Sequence, residues 1–179
     1  TADCGETLRA LLAATEADAL PDTTEWAHRL CAVGAASKQN FAQVAAARSG
    51  PVHPYKLALS VAEALPRDAV ICLDGGESHS WIDMTAHSDA PGRWLGHGYV
   101  GCMGEGLPLA VGAQVANPGK RVILFTGDGS VGFNFAEFDT LVRHNIPVVA
   151  VMGNNGIWAL EKHPMEFLYG YSVAADLQP

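Results

Sequence analysis

The fold of this chain is constrained most by two apolar segments that each end in a glycine-containing polar turn. Residues 122–126 lead into Gly127-Asp128-Gly129-Ser130, and residues 147–152 lead into Gly153-Asn154-Asn155-Gly156. Asp128 and Asn155 lie 155 − 128 = 27 residues apart, which leaves room for one helix and a return strand. Neighbouring parallel strands end at the same edge of a sheet, where α/β proteins bind ligands. We therefore expect both side chains to reach one crevice and one ion.

The chemistry of these turns favours a metal-bound diphosphate over a bare dinucleotide. Residues 127–132 also read as G-x-G-x-x-G, the dinucleotide-binding pattern. A diphosphate beside the Asp128 carboxylate is repelled by about 4 kcal/mol per charge pair at ~4 Å and an effective dielectric of ~20. A divalent cation between the two groups turns this repulsion into attraction. Mg²⁺ commonly bridges a carboxylate to phosphates. The amide oxygen of Asn155 and a nearby main-chain carbonyl suit its remaining positions.

Two alternative interpretations of the turns stay open. A nucleotide-binding oxidoreductase would have a loop that leads directly into its helix and an acidic residue about 20 positions later. Here Phe133 and Asn134 are expected to precede the helix, and the second strand ends in amides. The other alternative is that the two turns are unrelated structural turns. Their common position at strand ends argues against it.

A third polar turn, Asp74-Gly75-Gly76-Glu77, follows the predicted strand 69–73. Its glycines allow the main chain to approach a ligand, and a helix that starts there would offer free N–H groups to a phosphate. The Glu77 carboxylate is unfavourable beside a diphosphate, whereas Ser78 could donate a hydrogen bond. This turn is therefore expected at the same ligand-facing edge.

A GDG motif followed by NN at this spacing is typical of thiamine-diphosphate enzymes. The surrounding segments resemble the acetolactate synthase (acetohydroxyacid synthase) branch, and they are Asp74–Ser78, Gly101–Pro108 and Asn145–Val149. The resemblance runs from about Pro51 to the C-terminus. Glu77 stands where the family usually has Gln, and Ser78 where this branch often has His.

The resemblance implies a specific set of site residues. Mg²⁺ would be held by Asp128, Asn155 and the main-chain carbonyl of Ile157. Gly101 and Met103 would lie beside the thiazolium ring of thiamine diphosphate. In all, eleven residues would contact the cofactor or its metal: Gly76, Glu77, Ser78, Gly101, Met103, Gly127, Asp128, Gly129, Ser130, Asn155 and Ile157. The family's activating glutamate lies on another domain, so no catalytic residue is expected in this chain, and the chain alone is expected to be inactive.

The implied activity is the decarboxylation and carboligation of a 2-keto acid. The resemblance favours acetolactate synthase, which converts pyruvate to 2-acetolactate in branched-chain amino-acid biosynthesis. Benzoylformate decarboxylase-, oxalyl-CoA decarboxylase- and 2-hydroxyacyl-CoA lyase-like enzymes are alternatives, as is a non-catalytic paralogue that retains the fold. Family properties also imply a homodimer or homotetramer and a possible regulatory subunit. FAD is possible in a longer parent protein, but nothing in this chain supports it.

Composition excludes several other classes of function. The net charge of −8 leaves no basic stripe for nucleic acid, and no uncharged apolar run approaches the ~20 residues needed to span a bilayer. The four cysteines are scattered, which indicates reduced thiols and a cytoplasmic protein. His79, His87 and His97 lie near Glu77 in sequence but do not have the spacing of a zinc site.

We predict a three-layer α/β/α fold around a mainly parallel sheet. Residues 1–50 are expected to be the end of a central domain plus a helical connector, and residues 51–179 a thiamine diphosphate-binding domain that is incomplete at its C-terminus. Helices are predicted at Thr7–Ala14 and Thr24–Ala47, and Pro54 is expected at the first position of the next one. Asn134 and Glu137 resemble a capping pair, and residues 161–163 an exposed helix surface.

Overall fold

A computed structural model describes residues 2–17, 21–47 and 49–177. The chain divides into two compact units, residues 1–43 and 44–179. The last two residues of the predicted cofactor domain, Gln178 and Pro179, lie outside the described part of the chain. In what is described, no helix combines the length and the apolar character that crossing a bilayer requires.

The first unit contains helix α1 (Cys4–Ala17) and most of helix α2 (Thr24–Ala47). The α2 bounds are those predicted. Helix α1 starts three residues earlier than predicted because Asp3 caps it: the Asp3 carboxylate accepts a hydrogen bond from the backbone N–H of Glu6 at 3.0 Å.

The second unit is built on one sheet of four parallel strands, in the order β2-β1-β3-β4. The strands are β1 (Val70–Leu73), β2 (Trp94–Leu95), β3 (Val122–Gly127) and β4 (Val148–Gly153). In the register of β3 and β4, Gly127 lies opposite Gly153. The two diagnostic turns therefore leave the sheet side by side, as predicted.

Helices cover both faces of the sheet. They are α3 (Pro54–Ala64), α4 (Glu77–Thr85), α5 (Gly106–Ala116), α6 (Asp128–Phe133), α7 (Glu137–Arg143) and α8 (Ala159–Tyr169), with a short 3₁₀ helix at Gly98–Val100. Alternate residues of β1 point to opposite faces, as the period of a strand requires. Val70 and Cys72 pack with α5 and α7, whereas Ile71 and Leu73 pack with α3 and α4. The three-layer α/β/α prediction is confirmed.

Burial explains the chemistry of the central cysteine. The side chain of Cys72 is fully buried, and burial raises the pKa of its thiol to about 12. Such a thiol stays protonated and acts as a small apolar core residue. All four cysteines are free.

Two local predictions after β3 are wrong. Helix α6 begins at Asp128 itself, so Phe133 and Asn134 do not separate the glycine turn from the next helix. Asn134 does not cap α7, whose N-cap is Ala136. Instead, the Asn134 amide donates to the backbone carbonyl of Gly104 at 2.5 Å. This tertiary hydrogen bond takes the amide away from the local capping role that its sequence position suggests.

Candidate cofactor-binding site

A cavity of about 380 Å³ lies at the carboxyl edge of the sheet. It is formed by the turns after β1, β3 and β4, by part of the segment between β2 and α5, and by the start of α8. The structure brings all eleven residues of the predicted cofactor site to the wall of this one cavity: Gly76, Glu77, Ser78, Gly101, Met103, Gly127, Asp128, Gly129, Ser130, Asn155 and Ile157.

The buried carboxylate of Asp74 holds two of the cavity-forming loops together. Its side chain is 2% exposed. It accepts hydrogen bonds from the backbone N–H groups of Gly75 at 2.7 Å, Gly104 at 3.0 Å and Gly106 at 2.9 Å. The turn after β1 and the loop that enters α5 are thereby fixed to one another, although they are about thirty residues apart.

Sequence reasoning missed this role of Asp74. The available signal was an ionisable residue placed directly after an apolar strand and followed by two glycines. A charge in that position becomes buried with the strand end, and a buried charge needs several donors. The glycines supply backbone N–H groups at close range.

Asp128 and Asn155 connect the turns after β3 and β4. Asp128 Oδ2 accepts a hydrogen bond from the Gly156 N–H at 2.9 Å. Asn155 Oδ1 accepts from the Ile157 N–H at 3.2 Å, and its Nδ2 donates to Glu77 Oε2 at 3.3 Å. The amide is thereby oriented with its nitrogen towards Glu77. Each acceptor oxygen keeps lone-pair capacity beyond its single bond to the protein.

The cavity is lined by acidic side chains. Glu77, Asp83, Asp128 and Glu161 contribute carboxylates, and among the described lining residues there is no Lys or Arg. His163 lies 3.7 Å from the Glu77 carboxylate. An anionic ligand would meet net repulsion in this cavity unless a cation entered with it.

Close packing over the glycine turn shapes the cavity. A Cβ on Gly129 would lie 2.4 Å from Cζ3 of Trp158, so the indole ring occupies the space that a side chain would need. Gly75 has φ = +88°, and a Cβ there would lie 3.0 Å from Ser130 Oγ. The main chain can therefore form the cavity wall only with glycine at these two positions.

The first residues of α8 include a lysine that is engaged elsewhere. Lys162 Nζ lies 2.5 Å from Asp176 Oδ1, and this hydrogen bond raises the pKa of the lysine. Glu161 reaches the cavity wall, whereas Lys162 does not line it. Of the charged residues 161–163 that were predicted to form an exposed helix surface, Glu161 thus lies at the cavity and Lys162 forms an ion pair.

Two histidines on the cavity wall contact each other. His79 Nδ1 lies 3.2 Å from His97 Nε2, and His79 Nε2 lies 3.3 Å from Asp83 Oδ2. Burial lowers the pKa of His79 from its usual 6.5. His87 is exposed and does not line this cavity. Within the ranges that the structure describes, no group of three or more His, Cys, Asp or Glu residues could hold a metal ion.

Comparison with known proteins identifies a matching family and several relatives. Residues 74–178 match the family described as thiamine pyrophosphate enzyme, C-terminal TPP binding domain. The chain is 50% identical over 129 residues to acetolactate synthase large subunit IlvG of Mycobacterium tuberculosis. The aligned residues make up 72% of this chain and 24% of that protein. It is 34% identical over 132 residues to 2-hydroxyacyl-CoA lyase 2 of Caenorhabditis elegans. That alignment covers 72% of this chain and 20% of that protein.

A solved structure supports the same relationship. The thiamine diphosphate-dependent 4-hydroxybenzoylformate decarboxylase of Rhodococcus jostii superposes with a TM-score of 0.67 at 26% identity, over 74% of this chain and 25% of that one. The matched region therefore spans about a quarter of the length of these relatives.

Replacing Asp74 with Ala should strongly destabilise the protein. Three buried backbone N–H groups lose their acceptor, and each unsatisfied group costs about 1–3 kcal/mol, so we expect the free energy of unfolding to fall by about 3 kcal/mol or more. Chemical denaturation measures this. Asp68→Ala is the matched control, because Asp68 is an exposed turn residue and its removal should change stability by no more than about 0.5 kcal/mol. Equal effects of the two substitutions would contradict the role of Asp74.

Two alanine substitutions in α6 should have opposite effects. Gly129→Ala forces a Cβ against the Trp158 ring and should lower the free energy of unfolding by about 1–3 kcal/mol. Gly132→Ala meets no atom within 4 Å and should be neutral or stabilising by about 0.5–1 kcal/mol. Thermal or chemical denaturation of both variants tests the close packing. A harmless Gly129→Ala would show that the indole is not fixed there.

Proposed function

The chain belongs to the thiamine pyrophosphate enzymes, whose C-terminal TPP-binding domain matches its residues 74–178, and on that basis we propose that the cavity binds thiamine diphosphate through Mg²⁺. The observation that carries the proposal is the position of Asp128 and Asn155 at the ends of paired strands, in a cavity lined by carboxylates. A diphosphate needs a bridging cation in such surroundings.

The donor set fits Mg²⁺. The proposed ligands are the Asp128 carboxylate, the Asn155 amide oxygen and the Ile157 main-chain carbonyl. All are hard oxygen donors, and Mg²⁺ in phosphate sites usually takes only one or two carboxylates, with phosphate and water oxygens completing its shell. The hydrogen bond from Asn155 Nδ2 to Glu77 supports this assignment because it leaves Oδ1 as the amide atom able to bind a cation.

The diphosphate would lie against main-chain N–H groups. Gly76 is the N-cap of α4 and has no side-chain cap bond, so the N–H groups of Glu77 and Ser78 in the first turn can meet phosphate oxygens. Gly127, Gly129 and Ser130 line the cavity from the other turn. Glu77 would contribute through its backbone and through its bond to Asn155, because its carboxylate repels phosphate.

The organic part of the cofactor would be held by the loop that precedes α5. Gly101 has φ = +69° and Met103 is partly buried at the cavity wall. An unbranched, polarizable Met side chain adapts its shape to a ring. We assign Met103 as the support of the thiazolium ring, with Gly101 giving it clearance.

Bound thiamine diphosphate supplies the electron sink that allows a 2-keto acid to lose carbon dioxide. The residues of this chain bind the cofactor, orient it and line the space around it. The glutamate that activates the cofactor in this family belongs to another domain, so we expect no turnover from this chain alone.

We propose acetolactate synthase activity for the whole protein, with pyruvate as the substrate and 2-acetolactate as the product. The 50% identity to an acetolactate synthase large subunit supports this choice. A cytoplasmic homo-oligomer in branched-chain amino-acid biosynthesis, with a possible regulatory subunit, follows from it. The 2-hydroxyacyl-CoA lyase and decarboxylase relatives support carbon–carbon lyase or simple decarboxylase chemistry as the second candidate.

Asp128→Ala should strongly weaken Mg²⁺-dependent cofactor binding. Loss of even an outer-shell partner costs about 10–100-fold in metal affinity, so loss of the one proposed carboxylate ligand should weaken binding by about 100-fold or more. Isothermal titration of the protein with thiamine diphosphate, with and without Mg²⁺, measures this. Asp139→Ala removes an exposed acid paired with Arg143 and should leave binding unchanged. Equal affinity of wild type and Asp128→Ala would disprove the metal role, and tighter binding of NADH would favour the dinucleotide alternative.

Product analysis should separate the candidate activities. Incubation of the whole protein with pyruvate, thiamine diphosphate and Mg²⁺ should yield 2-acetolactate, because carboligation joins the decarboxylated unit to a second keto acid. Chromatographic detection of acetolactate and acetaldehyde measures the outcome. Acetaldehyde as the sole product would favour a decarboxylase. Cofactor binding without consumption of any keto acid would favour a non-catalytic paralogue.

A further inference from the structure

Helix α8 is followed by a segment that returns to the turn after β4. Gly170, the C-cap of α8, has φ = +77°, a left-handed conformation that favours glycine and lets the chain reverse its direction. Residues 175–177 then lie against the turn, and Asp176 forms an antiparallel bridge with Ile157. We call residues 175–177 the strap. It contacts the turn that contains two of the proposed metal ligands, Asn155 and Ile157.

Two backbone hydrogen bonds join the strap to the turn. The Leu177 N–H donates to the Gly156 carbonyl at 2.7 Å, and the Trp158 N–H donates to the Ala175 carbonyl at 2.8 Å. These bonds involve the residues on either side of Ile157, which makes Ile157 a non-hydrogen-bonded position of an antiparallel pair. The N–H and C=O groups of a residue in such a position point away from the partner segment.

The strap therefore determines which way the Ile157 carbonyl faces. The Ile157 N–H donates to Asn155 Oδ1 at 3.2 Å. In extended backbone the N–H and C=O groups of one residue point to the same side, so the Ile157 carbonyl shares that side with the Asn155 amide oxygen. Ile157, Asn155 and Asp128 all line the cofactor cavity. The pairing with the strap thus directs a main-chain oxygen towards the proposed metal site.

The strap and Asp128 hold Gly156 from opposite sides. The Gly156 N–H donates to Asp128 Oδ2 at 2.9 Å, and its carbonyl accepts the hydrogen bond from Leu177 in the strap. Gly156 is buried and lies in sequence between Asn155 and Ile157. The peptide groups next to these two proposed ligands are therefore fixed within the protein itself.

An ion pair joins the strap to α8. Lys162 Nζ lies 2.5 Å from Asp176 Oδ1 and 3.9 Å from Glu166 Oε1 on its own helix. The Lys162 side chain is 20% exposed, and that of Asp176 is 60% exposed. Ion pairs with an exposed partner contribute little free energy. The two backbone hydrogen bonds should therefore dominate the positioning, and the ion pair should keep the strap in register.

We propose that the strap is a positioning element for metal binding, which fixes the main-chain carbonyl of Ile157 as the third protein ligand of the ion. Asp176 and Lys162 are positioning residues that hold the strap in place. This inference rests on the proposed function for the identity of the metal, Mg²⁺. A carbonyl that is oriented before the ion arrives loses less conformational freedom on binding. The strap should therefore raise the metal affinity of the site.

The test compares Leu177→Pro with Leu177→Ala in the whole protein. Proline has no N–H, so Leu177→Pro removes the hydrogen bond to Gly156, whereas Leu177→Ala keeps it. Isothermal titration with thiamine diphosphate at several Mg²⁺ concentrations measures the metal affinity. We expect Leu177→Pro to weaken Mg²⁺ binding by about 10-fold or more, as loss of an outer-shell partner does, and Leu177→Ala to weaken it much less. Equal affinities of wild type and Leu177→Pro would overturn the proposal.

The number of water molecules on the metal separates positioning from a general loss of stability. Mn²⁺ takes the same oxygen ligands as Mg²⁺, and its EPR lines broaden with each coordinated molecule of ¹⁷O-labelled water. If the Ile157 carbonyl leaves the metal in Leu177→Pro, a water molecule should complete the octahedral shell. The count should then be one higher than in wild type. An unchanged count together with weakened binding would overturn the proposal, because a merely destabilised site keeps its ligands.

Asp176→Asn tests the strap independently, also in the case that Leu177→Pro does not fold. It removes the charge of an exposed side chain and should weaken Mg²⁺ binding by about 2- to 5-fold. Glu166→Gln is the matched control, because it removes the more distant charge near Lys162 and should leave binding unchanged. Equal binding by wild type and Asp176→Asn would overturn the positioning role of the ion pair.

Amide hydrogen exchange examines the strap without cofactor or metal. The N–H groups of Leu177 and Trp158 should exchange slowly in the free wild-type protein, because both are hydrogen-bonded across the strap. Rapid exchange of both would overturn the proposal. Slow exchange in a wild-type protein that fails to bind thiamine diphosphate with Mg²⁺ would instead disprove the proposed function.

Discussion

The Asp74 carboxylate is the interaction on which the site depends most. Its backbone N–H bonds to Phe125 in β3 and continues the sheet, while its side chain holds the N–H groups of three glycines from two loops. A buried charge is tolerated only when it is fully hydrogen-bonded, so the carboxylate and the glycine loops stabilise one another. The loop that carries Gly101 and Met103 is thereby held at a fixed distance from the turn that carries Gly76 and Ser78. This clamp therefore fixes the position of one loop relative to the other.

A second constraint is electrostatic, and it links the shape of the cavity to its ligand. Four carboxylates line the cavity wall, and there is no lysine or arginine among the described lining residues. The cavity therefore attracts cations, and an anion can bind there favourably only when a cation lies between it and the carboxylates. Nearby carboxylates also act on His79: burial, the largest effect, lowers its pKa, whereas Asp83 and Asp74 raise it.

The accuracy of the sequence predictions depended on the range of the interaction. Helix α2 and the Pro54 start of α3 were predicted correctly because helix length and the fixed φ of proline are local properties. The strands β1, β3 and β4 were predicted correctly because each of them reads as an apolar run in the sequence. The cap assigned to Asn134 and the delayed start of α6 were wrong. Asn134 bonds to Gly104, thirty residues away, and no local pattern carries that information. The domain boundary at residue 50 and the metal ligands remain predictions.

The sequence by itself determined the fold class and the edge of the sheet where the predicted site residues meet. Apolar strand segments, glycine turns and oxygen-bearing side chains can be recognised directly from the order of residues. Parallel strands end at the same edge of a sheet, so the position of the turns follows from the strands. Only the tertiary structure decided that Asp74 clamps two loops, that Glu77 orients the Asn155 amide, and that His79 and His97 share a contact. Each of these depends on distances between segments about 18 to 78 residues apart. Such distances are set by how helices pack on the sheet, because packing of the whole core fixes positions that no single segment specifies.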